Sequence, residues 1–142
     1  MGAVSIALAD LHDAYARRHV DEDGIDWTRL RALLDHLGHR CEDIADAIAD
    51  APPPSGSDLL DSLLAGIAEK LADDAGLPRP PWTSRVPPMP DDWDYVGTPR
   101  MLAERRRTAP PQLAARRIWL DEGSLWRERI WHPVADGPAP QP

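Results

Sequence analysis

The stretch "SDLLDSLLAGIAEKLADDAG", residues 57–76, carries the clearest helical pattern in the chain. Its large apolar residues recur three and four positions apart, as they would on one face of an α-helix. They are Leu60, Leu63, Leu64, Ile67 and Leu71. Ser57 or Asp58 is suited to cap the first turn, and Gly76 followed by Pro78 is a typical stop signal. The stretch therefore predicts one long amphipathic helix whose apolar face must be covered by other elements.

Three weaker amphipathic patterns precede this helix. They cover residues 4–15, 27–37 and 41–48. Leu8 and Leu11 belong to the apolar face of the first pattern, while Asp26 is suited to cap the second and Gly38 to end it. Helices this short cannot bury their apolar faces singly. Residues 1–76 are therefore expected to pack as a small acidic helical bundle.

After the long helix the composition changes, with seven prolines between residues 78 and 99. Proline removes a backbone donor and restricts the residue before it, so neither a long helix nor a central strand is expected there. Trp82 and Trp93 nevertheless give this segment more apolar area than a disordered spacer usually has. We predict an extended arm whose aromatic residues dock either on the bundle or on another chain.

The C-terminal part shows three short patterns and then none. Thr98 and Pro99 are suited to be the N-cap and first residue of a helix. The segment "RIWL", residues 117–120, predicts a short strand or an extended hydrophobic segment, and Ser124 is suited to cap a last helical turn. Residues 132–142 have no periodicity and are expected to form a flexible tail.

Together these patterns predict a mainly α fold. It consists of a small helical bundle, a proline- and tryptophan-rich extended arm, and a short C-terminal helix–strand–helix element. A chain of 142 residues is too short for two full domains. Residues 77–131, which hold the arm and the C-terminal element, are therefore expected to pack on the bundle within one domain.

Charge is distributed unevenly along the chain. Residues 1–75 hold 16 acidic and 6 basic residues, and residues 76–142 hold 8 acidic and 10 basic residues, so the two parts carry net charges of −10 and +2. An acidic surface repels a phosphate backbone and speeds the encounter with a basic partner. The same charge is also compatible with a solvated surface that only keeps the protein soluble.

The sequence indicates a cytoplasmic protein without membrane contact. Cys41 is the single cysteine, which excludes an internal disulfide. The first residues lack the basic region of a signal peptide, and no apolar run reaches the roughly 20 residues that span a bilayer.

Two short motifs carry a resemblance to known proteins. They are "GLPRPPW" at residues 76–82 and "APPQLAARRIWLDEGSL" at residues 109–125. Over roughly residues 60–127 the chain resembles a group of small actinobacterial proteins similar to antitoxin-like partners of nucleotidyltransferase-type toxins, although Trp119 stands where their pattern has Phe. The resemblance implies a protein that binds and restrains a partner toxin.

Tryptophan and arginine are the residue types that most often carry the binding energy of protein interfaces. The candidate partner-binding residues are therefore those in the arm and in the second motif with its flank. They are Trp82, Trp93, Arg116, Arg117, Trp119 and Trp126. For the tryptophans, a place in the core of the protein itself is the open alternative.

A DNA-binding regulator with a degenerate helix-turn-helix is the alternative function. Leu34, Gly38 and Ile44 have suitable spacing, but the second helix of such a unit would present acidic residues to the phosphates. The basic run Arg105 to Arg107 is more typical of a solvated helix face. We therefore expect no direct contact with nucleic acid, while the oligomeric state stays open.

The sequence contains no motif typical of an enzyme or a cofactor site. His36, His39 and Cys41 lie close together but lack the second ligand pair of a structural zinc site. Ser124 lacks the G-x-S-x-G setting of a hydrolase nucleophile. We expect no catalytic activity, no cofactor and no metal ion.

Overall fold

The computed structural model describes residues 7–13, 25–94 and 97–126. The predicted tail at 132–142 and the outer residues of the pattern at 4–15 lie outside these ranges. The described part is mainly helical, which confirms the predicted fold class. Its α-helices are α1 (Trp27–His39), α2 (Ile44–Ile48), α3 (Asp58–Ala75), α4 (Pro99–Thr108), α5 (Pro111–Ala114) and α6 (Glu122–Leu125). Three 3-10 helices cover Leu8–Asp13, Cys41–Asp43 and Pro81–Arg85, and two short strands are β1 (Trp93–Asp94) and β2 (Ile118–Trp119).

Helix α3 lies at the centre of the fold. The Ser57 hydroxyl caps its first turn by accepting a hydrogen bond from the Leu60 backbone N–H at 3.1 Å. Gly76 ends it in a left-handed conformation, with the Leu77 N–H donating to the Ala72 carbonyl at 2.8 Å. Both ends therefore agree with the sequence. The helix is buried on more than one face, since 13 of its 18 residues are buried.

Several elements cover α3 from different sides. Helices α2 and α5 pack on it, as do the 3-10 helices Leu8–Asp13 and Pro81–Arg85. Helix α1 contacts Leu8–Asp13 and α6, and its leucines are buried in the same core. The C-terminal part thus supplies α5 directly to the core, so the bundle depends on both halves of the chain.

Three local predictions need correction. The described part of the first pattern is a 3-10 helix, although Leu8 and Leu11 are buried as expected. Gly38 does not end α1, because it is a buried residue within the helix, which Arg40 terminates by donating its N–H to the His36 carbonyl at 2.9 Å. Ser124 is not a cap, because it lies inside α6, where its hydroxyl bonds the Asp121 carboxylate at 2.7 Å.

The arm docks on the chain's own core. The Trp82 indole N–H donates to the Ile48 carbonyl at the end of α2 at 2.9 Å. Strand β1 pairs in parallel with β2, with Trp93 opposite Ile118. Of the two docking surfaces left open by the sequence, the bundle therefore receives the arm. Among the described residues, no helix is long and apolar enough to cross a membrane.

Gly66 sets the distance between α3 and α5. A Cβ atom at this position would lie 2.7 Å from Leu113 Cδ2 and 3.2 Å from Arg116 Cδ. We predict that Gly66→Ala lowers the free energy of unfolding by about 1 kcal/mol, because overpacking outweighs the gain in helix propensity. Urea denaturation followed by circular dichroism measures this difference.

The Leu113→Ala background supplies the control. Removing the Leu113 methyl groups relieves the nearest clash, so Gly66→Ala is expected to stabilise the protein in that background through helix propensity. A Gly66→Ala cost that is equal in both backgrounds would contradict close packing of α5 on α3.

Candidate partner-binding site

Arg116 is a buried hub that joins α3, the arm and the C-terminal element. Its guanidinium binds Glu69 with two hydrogen bonds, at 3.1 and 3.0 Å. It also donates to the carbonyl oxygens of Thr83 and Val86, both at 2.9 Å, and to the Ser62 hydroxyl at 3.3 Å. The Arg116 and Glu69 side chains are only 8% and 11% exposed. Arg116 was predicted to be a partner-binding residue, but in this structure its side chain is buried and its donors bind groups inside the protein.

The backbone after α5 separates Arg116 from Arg117. Arg116 continues the turn, with its N–H donating to the Leu113 carbonyl at 2.9 Å. Arg117 then adopts a left-handed conformation with φ of 65°, which is uncommon for a residue other than glycine. This corner turns one guanidinium into the core and leaves the next one exposed.

Arg117 and Trp119 belong to an exposed network that holds the arm. Arg117 Nε and Trp119 Nε1 both donate to Asp92 Oδ1 at 3.1 Å. Arg106 binds the Asp94 carboxylate at 3.0 and 2.6 Å, and its guanidinium lies 4.7 Å from the Trp119 ring centroid. The hydrogen bond from Arg117, followed by that from Trp119, holds the pKa of Asp92 below its ordinary value. We call these five side chains the clasp.

The other tryptophans divide between the core and its edge. Trp82 and Trp126 are buried at 5% and 4% exposure, which is the core location that the sequence left open. Lys70 Nζ lies 5.1 Å from the centroid of the Trp126 ring. Trp93 is half-buried and stacks on Trp27 with ring centroids 6.1 Å apart. Of the six predicted partner-binding residues, Arg117 is exposed, while Trp93 and Trp119 are partly exposed.

A groove of about 480 Å³ lies between the arm and the loop that precedes α3. Five prolines, Trp82 and Val86 form its apolar lining, and Asp58, Asp61 and Arg85 supply its charges. The prolines are Pro52, Pro54, Pro87, Pro88 and Pro90. The groove adjoins the clasp at Pro90, whose carbonyl accepts a hydrogen bond from Arg117 at 3.2 Å.

The sequence reasoning missed this groove. Its two proline clusters were visible, and so was the acidic start of α3 at Asp58. The sequence does not reveal that these segments lie close together, because their proximity arises from the docking of Trp82 beside Ile48, 34 residues away along the chain.

The basic run on α4 is neutralised by carboxylates. Arg105 pairs with Asp121 at 3.3 Å, Arg106 with Asp94 at 2.6 Å, and Arg107 with Glu104 at 2.6 Å. These carboxylates reduce the local net positive charge that would attract phosphates. In the region of the proposed helix-turn-helix, α2 has only five residues, which is about 7.5 Å of helix. Both features speak against a nucleic-acid surface.

The potential metal-ligating side chains in the described part of the chain are scattered. His36 Nε2 lies 3.4 Å from Asp43 Oδ2, which makes a simple surface pair. Within residues 7–13, 25–94 and 97–126, no group of three His, Cys, Asp or Glu side chains is placed to hold a metal ion.

Comparison with known proteins adds no relative. No protein-family model, no curated protein and no solved structure matches the chain. The interpretation of its function therefore depends on the groove, the clasp and the charges around them.

The buried hub yields a stability prediction. Arg116→Met leaves the Glu69 carboxylate nearly buried with only the Arg79 guanidinium, 3.9 Å away, as an ion-pair partner, so we expect a loss of about 3 kcal/mol in the free energy of unfolding. Replacing both residues, as Glu69→Leu with Arg116→Met, is expected to recover most of this loss. Urea denaturation measures all three variants.

The adjacent arginine is the matched control for Arg116. Arg117→Met is expected to leave the unfolding midpoint close to that of the parent, since this side chain is 48% exposed. Equal losses at the two positions would contradict the different environments of these neighbours.

The clasp yields a prediction about pH. Because the folded state lowers the pKa of Asp92, its contribution to stability is present above the ordinary aspartate pKa of about 3.9 and is lost as the pH falls through the lower, folded value. The stability difference between the parent and Asp92→Asn is therefore expected to be constant near neutral pH and to vanish in acid. Thermal unfolding at several pH values measures it.

Asp91→Asn serves as the control, because Asp91 is the exposed neighbour and lacks the hydrogen bonds of Asp92. A pH-independent difference for Asp92→Asn, or an equal effect of Asp91→Asn, would show that the clasp does not hold the Asp92 carboxylate.

Proposed function

We propose that this chain is a cytoplasmic, antitoxin-like protein that binds and restrains a partner protein. The observation that carries the proposal is the proline-walled groove, a preformed concave surface with charged groups at its edge. Its volume of about 480 Å³ falls within the range of ordinary binding pockets. The resemblance of residues 76–82 and 109–125 to antitoxin-like proteins supports a nucleotidyltransferase-type toxin as the partner.

The groove is suited to binding because its walls are rigid. Proline loses no side-chain entropy on burial and has a fixed φ, so a partner that contacts these rings orders little that is mobile. Such preorganisation raises affinity for a given contact area. The Trp82 hydrogen bond and the Arg116 hub hold the two sides of the groove from within.

The clasp extends the contact surface beyond the groove. A specific protein interface buries about 800 Å² on each partner, which is more than a single groove supplies. Pro90 connects the groove to Arg117, and Trp119 lies beside it with part of its ring exposed. Arginine and tryptophan at this position would supply anchoring contacts next to the groove.

Restraint in this proposal is steric. The chain would act by covering the partner's active surface. Its acidic N-terminal part, with a net charge of −10 over residues 1–75, would speed the encounter with a basic surface.

Co-expression with the product of the adjacent gene tests this function. We expect that product alone to arrest growth, that growth returns when this chain is present, and that the two proteins copurify. Harmless expression of the adjacent product alone, or arrest that this chain does not relieve, would contradict the proposal.

Charge reversal tests whether the groove is the binding surface. Asp58 lines the groove in the first turn of α3, whereas Asp46 lies in the first turn of α2 and does not line it. Both are exposed, so both tolerate substitution at similar cost to their helices. We expect Asp58→Lys to lose protection against the partner and Asp46→Lys to keep it. Equal protection by the two variants would exclude the groove.

A further inference from the structure

We infer that the groove receives a short segment of the partner that places an apolar side chain on the proline rings and an adjacent arginine or lysine on Asp58 and Asp61. This inference rests on the proposed function and names the chemistry of the segment that is bound. It follows from three properties of the lining, which are its hydrogen-bonding groups, its charge and its apolar wall.

The lining is rich in hydrogen-bond acceptors and poor in donors. Its five prolines have no backbone N–H, so those positions supply no backbone donor, and the Pro87 and Pro90 carbonyls already accept from Arg116 and Arg117. Asp58 and Asp61 add two carboxylates, and Arg85 is the only donor among the charged side chains that line the groove. A segment bound there must bring donors of its own, which a guanidinium or an ammonium group does.

The charges of the groove favour the same segment. Asp58 and Asp61 are three residues apart and so lie on one face of α3. The Asp61 carboxylate already accepts the Ser55 N–H at 3.0 Å, while Asp58 has no hydrogen-bond or ion-pair partner among the described residues. Two carboxylates against one guanidinium leave the lining with a net negative charge. A cationic side chain is the complement that Asp58 lacks.

The apolar wall of the groove favours a segment in which an apolar residue stands next to the cationic one. Pro87 and Pro88 are exposed, and Val86 is half-buried between the groove and the core. Covering this wall would remove apolar surface from water without ordering flexible side chains of the groove. A free cation or a wholly charged segment would leave the wall exposed, so a mixed apolar and basic segment fits best.

The experiment titrates the purified full chain, labelled with ¹⁵N, with three synthetic peptides. They are acetyl-GLRLG-amide and two otherwise identical peptides, the Gln twin and the Glu twin, in which Gln or Glu replaces Arg. The Trp82 indole N–H reports on the groove because Trp82 lines it. We expect saturable shifts of this signal and of the Arg85 amide with the arginine peptide, weaker binding of the Gln twin, and none of the Glu twin.

Two variants locate the cation. Asp58→Asn is expected to weaken the binding of the arginine peptide about fivefold, which is the effect of losing one exposed ion pair. The same variant is expected to leave the binding of the Gln twin unchanged. Asp46→Asn, on α2 outside the groove, is expected to leave both peptides unchanged. Raising the salt concentration should weaken the binding of the arginine peptide and leave that of the Gln twin unchanged.

Several results would overturn the inference. They are binding of the Glu twin as tightly as the arginine peptide, shifts confined to residues outside the groove, and an equal effect of Asp58→Asn and Asp46→Asn. Shifts of the groove signals with protein concentration alone would assign the groove to a second copy of the chain. These outcomes are independent of the growth assay. If the chain restrains its partner but does not bind the peptides selectively, the proposed function stands and only this inference is removed.

Discussion

The ion pair between Arg116 and Glu69 is the interaction on which the rest of the structure depends. Both side chains are nearly buried, and the guanidinium uses its remaining donors on the Thr83 and Val86 carbonyls of the arm. A buried ion pair contributes little net stability, because desolvation offsets most of the attraction. The Arg116–Glu69 pair instead fixes the position of the arm. An arm that lacks regular structure is held at one place because its carbonyl groups satisfy a charged residue of another segment.

The next residue of α3 holds a second segment in the same way. Lys70 is buried and binds Asp74 at 2.6 Å and Glu122 of α6 at 3.2 Å, with the Trp126 ring beside it. Neighbouring residues of a helix point in directions about 100° apart. Glu69 and Lys70 therefore select different partners with opposite charge, and α3 fixes the positions of both the α5 corner and α6. The groove depends on the first of these attachments together with the hydrogen bond from Trp82 to Ile48.

This arrangement changes which residues are available to a partner. Trp82, Trp126 and Arg116 have the residue types of interface anchors, but they are occupied in the core. What they leave on the surface is a set of proline rings, two carboxylates and the partly exposed Trp119. Of the residues that the sequence assigned to a partner, Arg117 and Trp119 therefore remain on the proposed surface, and most of the rest of that surface consists of other residues.

The sequence by itself determined the elements whose signals are local. The caps at Ser57, Asp26 and Thr98 and the left-handed stop at Gly76 each involve groups within a few residues, so pattern and structure agree. Only the tertiary structure decided that Arg116 is buried and that two proline clusters form one groove. Burial of an arginine requires a carboxylate to meet it, and Glu69 lies 47 residues away along the chain. The identity of a residue does not reveal such a partner, because the pairing depends on the close approach of α5 to Gly66 of α3.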